Sequence, residues 1–367
     1  MPILLQLHHL FRLLILYEYY NNIPPNTIDV LCVGSSHTYC GINPVVMFKD
    51  YGIAAFDLAA GFQPIWCSYY YIEEALKKQN PQCIILDIYT ACFEPEAFEN
   101  TVQMNLNGMR LSDTKWKALT AYACDQKLDI FLEFPISHAN YEKISAKDYY
   151  INPERYLGYY YNNNIAQLNN INSERDMILS ISDKLAIPLK SEEWLVKIIE
   201  LCREEEIDLI LVNAPIPNYY ESLQKNVNYI SEIANKYDVP ILDGCVNYSQ
   251  IGIDYTVDSM DDNHINYYGS VKYTKWICKY LIDNFELPNR CSDKKYKYWC
   301  KSCESLENKI NEQIIYNEPN LIQTLKNLRQ SNSYMYAIIC SGNGGGGEHL
   351  RIIIMKHIVT SKLKELT

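Results

Sequence analysis

Thr27-Ile28-Asp29-Val30-Leu31-Cys32-Val33-Gly34-Ser35-Ser36-His37 is the stretch on which the reading of this chain turns. A short run dominated by apolar and β-branched residues follows Pro24-Pro25 and stops at Gly34-Ser35-Ser36, the pattern of a buried strand entering a tight turn. Runs of the same character recur at 54–60, 82–89, 208–213 and 239–243. Between them lie segments with helical apolar spacing at 44–51, 64–78, 192–205 and 220–237, and a further amphipathic helix is expected at 267–285. Strands that are apolar throughout, separated by helices, are buried on both faces by crossover connections. The expected fold is therefore a doubly wound, flavodoxin-like α/β domain with a five-stranded parallel sheet.

The remaining segments lack this rhythm. About 91–190, between the third and fourth strands, form an insertion with a helix expected at 114–124 and a polar, aromatic stretch at 149–170. An insertion beyond the carboxyl end of a strand shapes a substrate site or lid, or else is a peripheral helical cap. Within it, Tyr159-Tyr160-Tyr161-Asn162-Asn163-Asn164 reads more readily as a solvated loop than as a sugar groove. The domain is expected to occupy 27–286, and 290–367 read as a small C-terminal appendage. The glycine-rich run 342–347 lacks the Lys-Ser/Thr of a phosphate-binding loop, so it reads as a linker. Residues 1–26 hold an apolar stretch at 2–17 interrupted by Gln6, His8, His9 and Arg12, too short for a membrane span. It reads as an amphipathic interfacial helix or clipped anchor, or equally as a helix packed on the protein itself.

Composition narrows the function classes. The 367 residues carry 33 Lys+Arg against 44 Asp+Glu, and the net charge of -11 opposes capture by nucleic acid or an anionic bilayer. The 13 cysteines sit mostly in apolar runs, as buried thiols in a reducing or anaerobic setting do, and not in a disulfide framework. Cys291, Cys300 and Cys303 with Cys340 or His349 offer a single CxxC, a weak zinc pattern, and no metal or cofactor is expected. The 32 tyrosines supply aromatic faces with polar tips that suit polar organic ligands, although a plain compositional bias would look the same.

Chemistry is expected where ligands bind in open α/β sheets, beyond the carboxyl ends of the strands. The turn after the first strand presents serines close to the amino end of a helix, whose amides help receive an oxyanion. The base that a serine needs is expected at Met260-Asp261-Asp262-Asn263-His264-Ile265-Asn266. An Asp three residues ahead of a His at a helix entrance fixes the imidazole tautomer and stabilises the imidazolium. Asp258 and Asp262 are rivals for Asp261, since acidic residues before a helix also serve as caps. Taken alone, the Ser-Ser pair is ordinary turn chemistry.

With these residues in place, the chain resembles the SGNH (GDSL-like) hydrolase superfamily, in particular its bacterial cell-surface O-acyltransferase-like and esterase-like branch. Gly34-Ser35-Ser36-His37 stands where that family has its Gly-Asp-Ser turn, and Asp261-x-x-His264-Ile265-Asn266 where it has its Asp-x-x-His block. The resemblance implies Ser36 as nucleophile, His264 as general base and Asp261 as its orienting acid. It further implies an oxyanion hole from the amides of Ser36 and Ala59, because Phe56-Asp57-Leu58-Ala59-Ala60-Gly61 matches the block where the family places a glycine. The family's Asn after the third strand has no counterpart in Leu86-Asp87-Ile88-Tyr89-Thr90, where Tyr89 or Thr90 is the substitute. His37, Gln63 and Tyr89 are candidate substrate contacts, with His37 as a satisfied turn residue and Gln63 as a helix cap the plainer readings. The implied function is a serine esterase or O-acyltransferase on acylated carbohydrate or a small ester, with no nucleic-acid partner. A noncatalytic glycan-binding or assembly protein on the same fold is the alternative. The implied location is membrane-associated or at the cell surface, with the cytoplasm as alternative.

Overall fold

β1 (Val30–Gly34) is buried along its whole length, and so are β2 (Ala55–Ala59) and β3 (Cys83–Asp87). The computed structural model describes residues 20, 22–106, 109–121, 127–132, 155–168, 175–317, 337–339 and 351–353. β6 (Asp208–Asn213) and β7 (Ile241–Asp243) complete a five-stranded parallel sheet of order β2-β1-β3-β6-β7. Its register is fixed by pairs such as Gly34↔Ala59, Leu31↔Ile84 and Leu86↔Leu211. This is the doubly wound, flavodoxin-like order expected from the apolar runs. Each fully enclosed Val, Leu or Ile side chain contributes about 1.5–3 kcal/mol, which is why apolar residues at every position of a strand demand cover on both faces.

The helices are α1 (Ser36–Gly41), α2 (Pro44–Tyr51) and α3 (Ile65–Leu76), then α4 (Val102–Leu106), α5 (Asp113–Ala121), α6 (Lys127–Leu132) and α7 (Arg175–Leu179) in the insertion. After these come α8 (Leu189–Glu204), α9 (Glu221–Lys236), α10 (Tyr248–Ile251), α11 (Tyr267–Asn284) and α12 (Lys297–Asn317). Local chemistry sets their ends. Asn43 accepts from the Val45 and Val46 amides with Pro44 behind it, and Asn266 caps α11 through the Tyr268 and Gly269 amides.

Two departures from the expected boundaries have clear causes. The first strand begins at Val30, not Thr27, because the amides of Thr27 and Ile28 donate to the Gln79 side chain at 2.9 and 3.2 Å and so leave the ladder. The short helix α1 replaces what reads in sequence as a turn alone; Ser35 caps it by accepting from the His37 amide.

The insertion divides. α5 lies along α3, with Lys77 bridging Asp113 and Lys117 bridging Glu73 on its exposed side, as a peripheral helical cap would. The tyrosine-rich segment, in contrast, is no solvated loop. It forms the hairpin β4 (Arg155–Tyr156) and β5 (Tyr159–Tyr160), with Tyr156, Tyr159 and Tyr161 buried. The Leu157 carbonyl accepts from the Asp57 amide at 2.9 Å, so the hairpin covers the outer edge of β2 and closes an otherwise open sheet margin. Its turn needs glycine: Gly158 has φ +91°, and a Cβ there would collide with the Asp57 carbonyl.

At the other end, the domain runs further than 286. Arg290 grips Asp29 through Nη2 at 2.8 Å and Nε at 3.1 Å, and the fully buried Trp299 donates its indole N–H to the Ala55 carbonyl at 3.0 Å. The compact unit extends to Ser302. A second unit starts at Cys303 and contains the two-stranded antiparallel ladder of β8 (Ala337–Ile339) with β9 (Arg351–Ile353). The glycine-rich run 342–347 and the apolar segment 2–17 lie outside the described residues, among which no helix is long and apolar enough to cross a membrane.

Candidate active site

The sheet reverses direction at β1 and β3: the chain leaves β1 toward β2 on one side and continues from β3 to β6 and β7 on the other. A crevice opens at such a switch point beyond the carboxyl ends of the strands. Gly34 ends β1 there with φ +151°, and a Cβ on it would lie 2.5 Å from both Asp87 Cβ and Thr38 Oγ1. Only glycine lets β1 pass this close to β3 and turn at once into α1. The turn places Ser35 inside the protein and leaves Ser36 partly exposed.

His264 reaches Ser36 from the far end of the chain. Its Nε2 lies 2.7 Å from Ser36 Oγ, and its Nδ1 lies 2.9 and 3.0 Å from the two carboxylate oxygens of Asp261. A carboxylate only accepts, so Nδ1 carries the hydrogen and Nε2 keeps a lone pair for the Ser36 hydroxyl. The turn that displays these groups is tightly held. Ser259 and Ile265 form an antiparallel bridge, the Met260 amide donates to the His264 carbonyl at 3.0 Å, and the Asn218 amide beyond β6 donates to the Asp262 carbonyl at 2.9 Å. Asp261 Oδ1 also accepts the amides of Asn263 and His264, both at 2.8 Å. Burial pushes the Asp261 carboxyl up, but its hydrogen bond to His264, the His264 charge and these amides outweigh that and hold it below the usual carboxylate range. The rivals are placed elsewhere: Asp258 is buried against Lys272 at 2.6 Å, and Asp262 is exposed.

The other expected site residues are distributed less simply. Ala59 is fully buried, and its amide cannot face Ser36. Along β2 the Ala60 amide points to β1, donating to Gly34, while the Asp57 amide points outward to the hairpin. Amides alternate along a strand, so that of Ala59 points outward with Asp57. Gln63 does not cap α3, whose first turn has no side-chain cap; it is enclosed and donates Nε2–H to Ser68 Oγ at 2.9 Å. Tyr89 packs its ring 4.1 Å from that of His37, and Thr90 is buried. His37 is 4% exposed, with Nε2 at 3.1 Å from the Asn263 carbonyl and Nδ1 at 3.2 Å from Ser35 Oγ, which makes it an internal residue instead of a surface contact.

Sequence reasoning missed the role of Asp87. It ends β3, takes the Ser35 hydroxyl at 2.6 Å, and accepts the amides of Ser35 and Tyr89, each at 3.2 Å. Burial raises its carboxyl above the usual range, against the pull of those hydrogen bonds. The available signal was an acidic residue closing an otherwise apolar strand. Among the described residues no group of three His, Cys, Asp or Glu is placed to hold a metal; Cys340 and His349 lie outside them.

The five-stranded parallel sheet flanked by helices, with Ser36 just past β1 and the Asp261-x-x-His264 turn ahead of α11, is a doubly wound α/β arrangement. No family model and no curated protein sequence matches the chain. Solved structures that resemble it include the following two. One, provisionally described as a lipolytic protein of the G-D-S-L family from Desulfitobacterium hafniense DCB-2, has 12% identity and a TM-score of 0.35, covering 69% of this chain and 99% of its own. The other, provisionally described as an acylhydrolase from Bacteroides fragilis NCTC 9343, has 10% identity and a TM-score of 0.38, covering 73% of this chain and 95% of its own.

Proposed function

We propose that the chain is a serine esterase or O-acyltransferase that works through an acyl-enzyme on Ser36, with acylated carbohydrate as the substrate class. The observation that carries this reading is the continuous set Ser36 Oγ, His264 Nε2 and Nδ1, Asp261, at 2.7 Å and 2.9 Å. His264 takes the hydroxyl proton as Ser36 attacks the ester carbonyl. Asp261 holds the resulting imidazolium, which then protonates the departing alkoxide. Water or a sugar hydroxyl, deprotonated by the same imidazole, releases the acyl group. The Ser36 amide, at the first position of α1, has no acceptor in the helix and serves as an oxyanion donor. With Ala59 turned outward, the second donor is left to another amide beyond β2. The buried tyrosines of the hairpin leave the carbohydrate preference to be carried by exposed rings, of which Phe62 and Tyr220 stand on the loops after β2 and β6.

Burst release from p-nitrophenyl acetate tests the reading: one acyl equivalent per chain is expected for the wild type and none for Ser36→Ala. Absence of a burst together with glycan binding that survives Ser36→Ala is the outcome expected of a noncatalytic glycan-binding protein, for which the lack of the family's Asn after β3 is the argument. Partitioning of the acyl group between water and an added oligosaccharide separates hydrolysis from transfer.

A further inference from the structure

Beside the set just described lies a second histidine that the proposed chemistry does not use. The ring of His37 stacks on that of His264, with centroids 5.0 Å apart and planes at 28°, and on its other flank it meets Tyr89 at 4.1 Å. The edge of the ring is equally defined. Nε2 faces the Asn263 carbonyl at 3.1 Å, and a carbonyl only accepts, so Nε2 must carry a hydrogen. Nδ1 faces Ser35 Oγ at 3.2 Å, and Ser35 is held from behind by Asp87 at 2.6 Å. The main chain reinforces this, since Ser35 Oγ accepts the His37 amide and Asp87 accepts the Ser35 amide.

Asn263 is the residue directly before His264, and its own amide is bound to Asp261 Oδ1 at 2.8 Å. The Nε2–H of His37 therefore grips the Asn263–His264 peptide, the last of the three peptides that join Asp261 to His264. We infer that His37 is a positioning residue: an imidazole whose Nε2–H fixes the 261–264 turn so that His264 meets Ser36 in line. The inference rests on the esterase reading of the site. Neutrality is as important as the hydrogen bond. His264 becomes a cation during acyl transfer, and a charged His37 stacked against it would oppose that step. Burial first, and then the neighbouring His264, lower the His37 pKa to about 3, while the Asn263 carbonyl and Asp261 act weakly in the other direction. The groups facing the ring are His264, Tyr89, Ser35 and the Asn263 carbonyl, with Asp87 behind Ser35. None of them forms a direct ion pair with it.

Two measurements test this. In the wild type, long-range 15N correlation spectra should show His37 with a protonated Nε2, unchanged from about pH 8 to about pH 5, where an ordinary histidine titrates. A bare Nε2 or an ordinary titration overturns the inference. In kinetics with p-nitrophenyl acetate, His37→Phe keeps a flat ring between Tyr89 and His264 but has no donor. Its kcat should fall on the order of 10- to 100-fold with KM within about twofold, as expected for a displaced catalytic group. His37→Gln restores an N–H toward Asn263 and should recover most of the loss. Ser36-dependent turnover that is unchanged in His37→Phe, or a Gln variant as impaired as the Phe variant, defeats this role alone. A wild type without Ser36-dependent acyl transfer defeats the esterase reading, and this role with it.

Discussion

Two Ser-His-Asp sets lie side by side at the end of β1, and the same residue types do different work in each. In one, His264 stands between Ser36 and Asp261; in the other, Ser35 stands between His37 and Asp87. With an imidazole in the middle, the carboxylate polarises the base and the serine hydroxyl faces a lone pair. With a hydroxyl in the middle, the carboxylate takes the hydroxyl directly and no nucleophile is set free. Exposure follows the same division, since Ser36 is partly open while Ser35 is 1% exposed. Residue types in proximity do not make a triad; the order of the links and access to substrate do.

The sharpest way to break this comparison is to exchange the serines one at a time. Ser36→Ala should lower kcat by on the order of 10³-fold or more while leaving the unfolding midpoint nearly unchanged, as loss of a nucleophile does. A Ser36→Ala enzyme with near wild-type turnover would make Ser36 irrelevant and the first set structural as well. Next in size is Gly34→Ala. Its Cβ would lie 2.5 Å from Asp87 Cβ and Thr38 Oγ1 at a φ of +151°, so β1 and β3 must part at the very point where both sets are anchored. Urea unfolding should show a loss of about 3 kcal/mol or more, in the range of overpacking combined with an incompatible backbone angle. A smaller loss would mean that the two strands yield there. Ser35→Ala should cost about 1–3 kcal/mol of stability, from a lost helix cap and a buried carboxyl deprived of its shortest hydrogen bond, in the same urea measurement. The acyl burst should survive it. A burst lost in Ser35→Ala with stability intact would show that the two sets are one.

Much of this was legible in the sequence, for a physical reason. Strands apolar at nearly every position are covered on both faces, as in a parallel sheet, so the runs around Val30, Phe56, Ile84, Leu209 and Leu242 specify the sheet, and the Asp261-x-x-His264 spacing places Asp261 and His264 on one turn. What stayed hidden depends on register and on distant partners. That the Ala59 amide faces away from Ser36 follows from amide alternation only once Asp57 is seen bonded to Leu157. The strands of the hairpin are too short to show a period, and its polar, tyrosine-rich composition disguises rings that are fully enclosed. The stretch after Pro288 reads as a separate appendage because its pattern turns Lys- and Tyr-rich, yet Arg290 and Trp299 bind the part up to Ser302 into the domain. Ser35 and His37 flank Ser36 in the chain, but their contacts depend on Asp87, at the end of another strand.

The finest distinction between the sets lies in their carboxyl groups, which burial and hydrogen bonding shift in opposite directions: Asp261 is held below the usual range and Asp87 above it. Asp261→Asn keeps an oxygen for the His264 ring and for the two amides and removes only the charge. A group whose folded-state pKa is depressed contributes stability above its unfolded value, near 3.9 for Asp, and loses that contribution as the pH falls through the lower folded-state value. The difference in thermal stability between wild type and Asp261→Asn should therefore be greatest above about pH 5 and close toward zero in stronger acid. Because Asp261 is half-exposed, solvent screening keeps the gap under about 1 kcal/mol. A gap that holds constant or widens on acidification would mean that the Asp261 carboxylate is not stabilised by its partners, and that the 261–264 turn is held by its backbone and by His37 instead.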